Sequence, residues 1–120
     1  MEQIELDIAK KMVDHYHETR KKLIDKTHSI NDTESIWIPL DNFKNFINNL
    51  PENASGVRIY LAAYDHNEPH HPNQTTAIIM GTVNNGDDHT DAIASGSALT
   101  DADRGLEPFN KGKICPPFCS

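Results

Sequence analysis

The apolar residues in the first quarter of the chain recur at helical spacing. No glycine or proline interrupts residues 2–26, where the apolar positions are Ile4, Ile8, Met12, Tyr16 and Leu23, flanked by Val13 and Ile24. Because this spacing places the side chains on one face of a helix, it predicts a long amphipathic helix over residues 2–26. Such a helix would span roughly 37 Å at 1.5 Å per residue, more than so small a domain needs. Its apolar face could therefore pack on the core, or mediate self-association or the binding of a protein partner.

Shorter apolar patterns predict a strand and a second helix in the next part of the chain. Residues 36–38 form a β-branched and aromatic run that Pro39 ends, which suits an edge strand because proline cannot donate to a ladder. Asp41 is a favourable N-cap, and the apolar residues after it recur at helical spacing as far as Leu50. We therefore predict a helix over residues 41–50.

Two longer strands follow this helix. Residues 57–64 alternate between two sets of side chains, as a half-buried strand does. Residues 75–83 are nearly all apolar, which is typical of a central strand covered on both faces. The periodicity fades after Asn85-Gly86, a pair that favours a tight turn. Residues 84–114 are therefore predicted to be an irregular segment.

These elements predict an α+β fold. A small sheet of about three strands would pack against the long N-terminal helix and the shorter second helix. With 120 residues, the chain can bury one core, so we expect a single domain over residues 1–120. Its parts are the helix at 2–26, a strand–helix–strand–strand core at 36–83, the irregular segment at 84–114 and a tail at 115–120.

Charge and hydropathy exclude some classes of partner. The net charge is −7, and residues 65–108 hold eight acidic residues against Arg104 alone, which makes −7 in that segment. Such a segment would repel a phosphate backbone, so no nucleic-acid partner is expected. The chain has no run of 18 apolar residues to span a membrane, and its first residues do not resemble a secretory signal. We therefore expect a cytoplasmic protein, in which a lasting structural disulfide is not expected.

The tail holds both cysteines of the chain, Cys115 and Cys119, on either side of Pro-Pro-Phe. An extended Pro-Pro pair rises about 3.1 Å per residue and would hold the two α-carbons about 12 Å apart, whereas a disulfide needs them within roughly 7 Å. An extended tail thus forbids the bridge, while a turn with a cis proline would permit it. The expected arrangement is a rigid tail with reduced thiols that packs over the sheet, where Arg58 and Tyr60 would meet it. The alternatives are a zinc half-site and a disulfide or redox pair.

Histidines are the candidate partners of these cysteines in a metal site. Imidazole, thiolate and carboxylate groups suit zinc, and four histidines lie among acidic residues between positions 66 and 89. The predicted metal ligands are Cys115, Cys119, His66, His70, His71 and His89. No metalloprotease, phosphate-loop or nucleophile-elbow motif is present. We therefore assign no catalytic residue, and no cofactor-binding residue beyond these zinc ligands.

Four blocks of the sequence carry a resemblance to known proteins. They are Ile36–Leu40, Gly56–Tyr64, Thr75–Ile79 and Asn110–Cys119. In them the chain resembles a group of small uncharacterised bacterial proteins that share a Gly-(Val/Ile)-Arg-Ile-Tyr strand and a C-terminal Cys-Pro-Pro-x-Cys tail. The resemblance implies one domain and an important tail, and it implies no catalytic residue.

The function that these patterns favour is that of a small cytoplasmic protein-interaction module without enzymatic activity. Its contact surface would be the N-terminal helix or the cysteine tail. One alternative is a zinc-binding domain that joins the terminal cysteines to histidines. Another is a small metal-dependent hydrolase that uses the histidines and aspartates of residues 65–91. The sequence favours the first function without deciding against an enzyme.

Overall fold

The protein has an α+β fold, as the sequence predicts. The computed structural model describes residues 1–92, 112–117 and 119. In chain order the elements are α1 (Leu6–Tyr16), a π-helical turn (His17–Lys21), α2 (Lys22–His28), β1 (Ser35–Trp37), α3 (Leu40–Asn48), β2 (Ala54–Ala63), β3 (Thr75–Asn85), β4 (Asp88–Asp91) and β5 (Lys113–Cys115).

The first three elements form one continuous helix from Leu6 to His28, because the backbone keeps right-handed helical angles at both junctions. This is the predicted long helix, displaced a few residues toward the C-terminus. The Thr19 hydroxyl donates to the His15 carbonyl at 2.5 Å, a bond that competes with the regular ladder beside the wider π turn. Ser29 ends the helix in the left-handed conformation, at φ 53°. No helix in the described part of the chain is long and apolar enough to cross a membrane.

The main sheet is antiparallel, with β3 between β2 and β4. The predicted central position of β3 is confirmed, since Ile79 and Met80, which point to opposite faces, are both buried. A turn at Gly86, with φ 66°, joins β3 to β4, so the predicted turn is confirmed as well. The prediction of an irregular segment from residue 84 is wrong at β4. Periodicity does not reveal this strand because its sequence is Asp-His-Thr-Asp and has no apolar face.

A second, two-stranded sheet pairs β1 with β5. The register places Ser35 opposite Cys115 and Ile36 opposite Ile114. The described part of the tail therefore begins in a strand that pairs with β1. Ile114 is 2% exposed, the lowest value of any apolar side chain in the described core.

The core of the described residues is small. Its buried apolar members are Ile79, Met80, Ala92, Ile114 and Cys115. The segment after α3 packs on the sheet through Leu50, whose side chain fills the place where a β-carbon on residue 81 would stand. Gly81 thus allows the close approach. Much of the apolar face of the long helix stays accessible to solvent.

Candidate functional site

A groove of about 530 Å³ separates α1 from the main sheet. Its apolar lining comes from four elements and the residue after β1. These residues are Met12, Val13 and Tyr16 of α1, Ile36 and Ile38 at β1, Ile59 and Leu61 of β2, and Ala77 and Ile79 of β3. The groove is thus bounded by the helix on one side and by one face of β2 and β3 on the other.

Four of the apolar side chains along this groove are unusually exposed for their size. Leu61 is 86% exposed, Met12 60%, Ile59 59% and Val13 51%. Single exposed apolar residues are ordinary, but a contiguous apolar patch on one protein marks a surface that binds another molecule. The groove and the helix face beside it are therefore the candidate functional surface.

A buried polar junction fixes the helix relative to the sheet. The Asp32 carboxylate is fully buried and accepts hydrogen bonds from Thr75 N at 2.7 Å and from Thr75 Oγ1 at 2.6 Å. Thr33 Oγ1 donates to the Thr75 carbonyl at 2.6 Å. The loop that follows the long helix is therefore attached to the first residue of β3. Asp32, Thr33 and Thr75, together with Lys21 and Asp25, are called the Asp32 junction below.

The helical half of the junction carries a partly buried ion pair. Lys21 Nζ donates to Asp25 Oδ2 at 2.7 Å and to Asn31 Oδ1 at 2.6 Å, and Asp32 N donates to Asp25 Oδ1 at 2.5 Å. Partial burial opposes ionisation of Asp25, but the bonds from Lys21 and Asp32 outweigh it and lower the pKa of this carboxyl. Burial, followed by the nearby Asp32 carboxylate, raises the pKa of Tyr16 above 10.0. Of the residues in these contacts, Tyr16, Thr33 and Thr75 line the groove, so the junction lies next to it.

The two cysteines form a disulfide, and their α-carbons lie 4.6 Å apart. Both proline peptide bonds of the tail are cis, so the chain makes the turn that the sequence left open. The expectation of an extended tail with reduced thiols is therefore wrong. The 12 Å separation assumed a polyproline helix, whereas here the chain reverses within five residues.

Glu34 lies beside this disulfide. Its backbone N–H donates to the carbonyl of Cys115, and its Oε2 lies 3.9 Å from Cys115 Sγ. The potential ligand atoms of Glu34, Cys115 and Cys119 all lie within 4.8 Å of one another. Among residues 1–92, 112–117 and 119, this is the one group of three or more metal-ligating side chains so close together.

The predicted histidine ligands from the 65–74 loop lie apart from this group. His66 and His70 are exposed. The Glu68 carboxylate accepts hydrogen bonds from the backbone N–H groups of His71 and His70, which lowers the pKa of Glu68. The Nδ1 atom of His71 lies 3.3 Å from Gln74 Oε1. The Glu68 side chain thus holds the backbone of the loop.

The predicted combination of the cysteines with histidines is not assembled in the described residues. The side chain that lies beside the two sulfurs is Glu34, whereas the prediction placed histidines there. Gln74, the last residue of the loop, connects the loop to the tail. It contacts His71, and its Nε2 donates to the Pro116 carbonyl at 3.2 Å. The loop therefore reaches the tail through an amide and not through a histidine.

His89 belongs to a polar cluster on β2 and β4. Its Nδ1 lies 2.9 Å from Ser55 Oγ. Arg58 donates to Asp91 Oδ1 at 2.6 Å and to the His89 carbonyl at 2.7 Å, and Tyr60 donates to Asp91 Oδ2 at 2.5 Å. Tyr60 and Asp91 together raise the pKa of Arg58. The expectation that Arg58 binds the tail is corrected here, because β4, which the sequence did not reveal, supplies these acceptors.

Sequence reasoning missed Asp32, Glu34 and Lys21. Asp32 and Glu34 stand in a polar stretch, residues 27–35, whose composition suits a loop and gives no indication of burial. Lys21 lies within a run of three basic residues that resembles a solvated helix face. Asp32 and Glu34 differ from their neighbours through contacts with distant segments, and Lys21 through its contacts with Asp25 and Asn31. Comparisons with protein-family models, with curated proteins and with solved structures found no match to this chain.

Proposed function

We propose that this protein is a non-enzymatic interaction module that pairs with a second copy of itself through α1 and the groove beside it. The observation that carries the proposal is the apolar stripe of α1, which lies next to an equally exposed apolar strand. In the stripe of α1, Leu6, Ile8, Met12 and Val13 are between 48% and 67% exposed. We retain from the sequence the cytoplasmic location and the absence of a nucleic-acid partner as parts of the proposal.

The charges along the long helix favour a second copy as the occupant. Glu2 and Glu5 stand just before the helix begins, and Asp7 lies in its first turn. The basic residues after its middle that are free of the Asp32 junction are Arg20, Lys22 and Lys26. When two copies of such a helix pair antiparallel, each acidic end lies beside the basic end of the other. A two-fold interface requires this kind of self-complementarity, because the same surface occurs on both sides.

The position of the groove agrees with that arrangement. The midpoint between the two charged ends falls near His15 and Tyr16, and Tyr16 lines the groove. The partner's helix would therefore cross α1 beside the groove, at a usual interaxial distance of about 8–10 Å. Its apolar side chains could then also contact Ile59 and Leu61 of β2. Both apolar surfaces would be covered by a single antiparallel pairing.

Sedimentation analysis of the intact chain tests the proposal. At a total concentration of about 100 μM, a dissociation constant of about 10 μM or tighter leaves most chains paired, so we expect a particle of twice 13.5 kDa. The double variant Met12→Glu/Leu61→Glu places charges in the groove and should be monomeric. The matched control is Leu40→Glu, since Leu40 is 64% exposed on α3 and does not line the groove.

Circular dichroism of each variant first establishes that the fold is kept. A wild-type chain that stays at 13.5 kDa at this concentration would overturn the proposal. Equal loss of pairing in the groove variant and in Leu40→Glu would also overturn it, because general surface charge would then explain the effect.

A further inference from the structure

We propose that reduction of the Cys115–Cys119 disulfide opens a zinc site formed by the two cysteine thiolates and the Glu34 carboxylate. This site is separate from the pairing surface proposed above. Its basis is the proximity of three ligand atoms within 4.8 Å of one another, from residues that lie 81 positions apart along the chain. The fold has therefore brought a carboxylate to the cysteine pair.

The backbone holds two of the ligand residues, Glu34 and Cys115, together without help from the disulfide. Ser35 pairs with Cys115 in the β1–β5 ladder, and the Glu34 N–H donates to the Cys115 carbonyl. The Gln74 amide holds the turn through the Pro116 carbonyl. Glu34 and Cys115 would therefore stay adjacent after reduction, while Cys119 and Glu34 are exposed and leave the site open to an ion from solvent.

The distances suit a tetrahedral zinc ion. Zinc binds thiolate sulfur at about 2.3 Å and carboxylate oxygen at about 2.0–2.2 Å, so neighbouring ligands of one ion lie roughly 3.5–3.8 Å apart. Side-chain rotation alone could bring atoms that are now within 4.8 Å to that separation. Three protein ligands leave the fourth position to a water molecule.

The disulfide and the zinc-bound form are alternative states of the cysteine pair, because the two sulfurs are uncharged in the first and ionised in the second. In the disulfide neither sulfur is ionised, so Glu34 is the only negative group of the three. Reduction creates two thiols, and ionising both beside Glu34 would gather three negative charges that a divalent cation can offset. Thiolate ligands select zinc over magnesium or calcium, and the net charge of −7 favours the approach of a cation.

The redox step is an exchange with a dithiol reductant. The two thiols of the reductant form a disulfide as the Cys115–Cys119 bond breaks, and both cysteines receive a proton and an electron. Zinc then displaces these two protons into solvent when the thiolates bind it. Disulfides of cytoplasmic proteins are usually transient, so both states would be accessible in the expected location.

Cobalt titration tests the site through a spectroscopic readout. The intact chain is reduced with a phosphine, freed of metal and titrated with Co²⁺ under anaerobic conditions. We expect thiolate-to-cobalt charge-transfer absorption that saturates at one equivalent per chain and disappears when one equivalent of Zn²⁺ is added. The oxidised chain should show no such absorption.

Glu34→Gln keeps the size of the side chain and removes the anionic ligand. It should weaken Co²⁺ binding by about tenfold or more, since even outer-shell losses reach that size. The matched control Glu52→Gln changes an exposed glutamate outside the ligand group and should bind as the wild type does. Cys119→Ser should abolish saturation at one equivalent.

Three results would overturn the proposal. The first is a reduced wild-type chain that does not reach one equivalent. The second is Glu34→Gln titrating like Glu52→Gln, which would leave a dithiol pair without a carboxylate ligand. The third is saturation at half an equivalent, which would indicate an ion shared between two chains.

Discussion

The charge layout of the long helix can be tested by reversing either of its ends. A basic variant carries Glu5→Lys and Asp7→Lys, and an acidic variant carries Lys22→Glu and Lys26→Glu. All four side chains are exposed, and none belongs to the Asp32 junction. In the antiparallel pair, each acidic end of the wild type faces a basic end, which gives four opposite-charge pairs per dimer. Each variant alone converts all four into like-charge pairs.

The magnitude follows from the exposure of these groups. An exposed ion pair contributes about 0.5 kcal/mol, so four pairs contribute about 2 kcal/mol. Losing this attraction and gaining a similar repulsion changes the pairing free energy by about 4 kcal/mol, which corresponds to nearly 1,000-fold in the dissociation constant. At about 1 M salt the screening length falls to about 3 Å, and most of the difference should disappear.

An equimolar mixture of the two variants supplies the decisive measurement. At positions 5, 7, 22 and 26 one variant is entirely basic and the other entirely acidic. All four pairs of the mixed dimer therefore join opposite charges, and the mixture should regain the wild-type affinity. Sedimentation velocity would follow the affinity, and native mass spectrometry would identify the heterodimer by its mass. If the mixture stays monomeric while both variants are folded, the antiparallel helix pairing is wrong. Variants that pair alone with wild-type affinity would refute it equally.

The remaining predictions concern stability. Asp32→Ala leaves both Thr75 donors without an acceptor and should lower the free energy of unfolding by about 3 kcal/mol or more; an unchanged urea midpoint would contradict the junction. Because the pKa of Asp25 is lowered in the folded state, its stabilisation is present above the ordinary value of 3.8 and is lost as the pH falls through the lower folded-state value. Urea unfolding of Asp25→Asn between about pH 6 and pH 3 should therefore depend less on pH than that of the wild type. If folding is linked to pairing, the thermal midpoint should rise with protein concentration, and a constant midpoint would separate the two.

Local patterns predicted the elements whose residues carry their own periodicity. The long helix, β2 and β3 each repeat apolar side chains over many residues, so their type follows from one stretch of sequence. β4 has no apolar repeat and exists because the turn at Gly86 returns the chain along β3. β5 has three residues, and its partner β1 lies more than 70 positions away. No local pattern encodes such a pairing.

The candidate site, like the fold, was predicted only in part from the sequence. The stripe of the helix is visible in the sequence, which predicted either packing on the core or a contact surface, with the cysteine tail as the other candidate surface. The metal group was only half predicted, since the cysteines stand out by their rarity while Glu34 is one acidic residue among eighteen Asp and Glu. Its role depends on the β1–β5 register, which brings it beside Cys115. The histidines were predicted as ligands because several of them lie among acidic residues. The loop that holds His66, His70 and His71 contacts the tail through Gln74 instead.

The small core of the described residues raises the question of what else stabilises this chain. The disulfide closes a ring over a sequence separation of only 4, so the chain-entropy estimate of its contribution is about 2 kcal/mol. Burying one half-exposed apolar side chain contributes about 1 kcal/mol. Six such side chains line the proposed interface in each copy: Leu6, Ile8, Met12, Val13, Ile59 and Leu61.

Pairing two copies would therefore contribute about 12 kcal/mol before the cost of association, several times the contribution of one disulfide. Association itself costs about 4–15 kcal/mol, a range that includes this gain. At the lower end of that range, apolar burial alone leaves about −8 kcal/mol, which corresponds to a dissociation constant of about 1 μM, so the dimer is near balance at micromolar concentration. The opposite charges at the two ends of the helix, worth about 2 kcal/mol in total, are then sufficient to decide whether the pair forms. This near balance explains why reversing four exposed charges in the mixture should control pairing, although none of them lies in the groove.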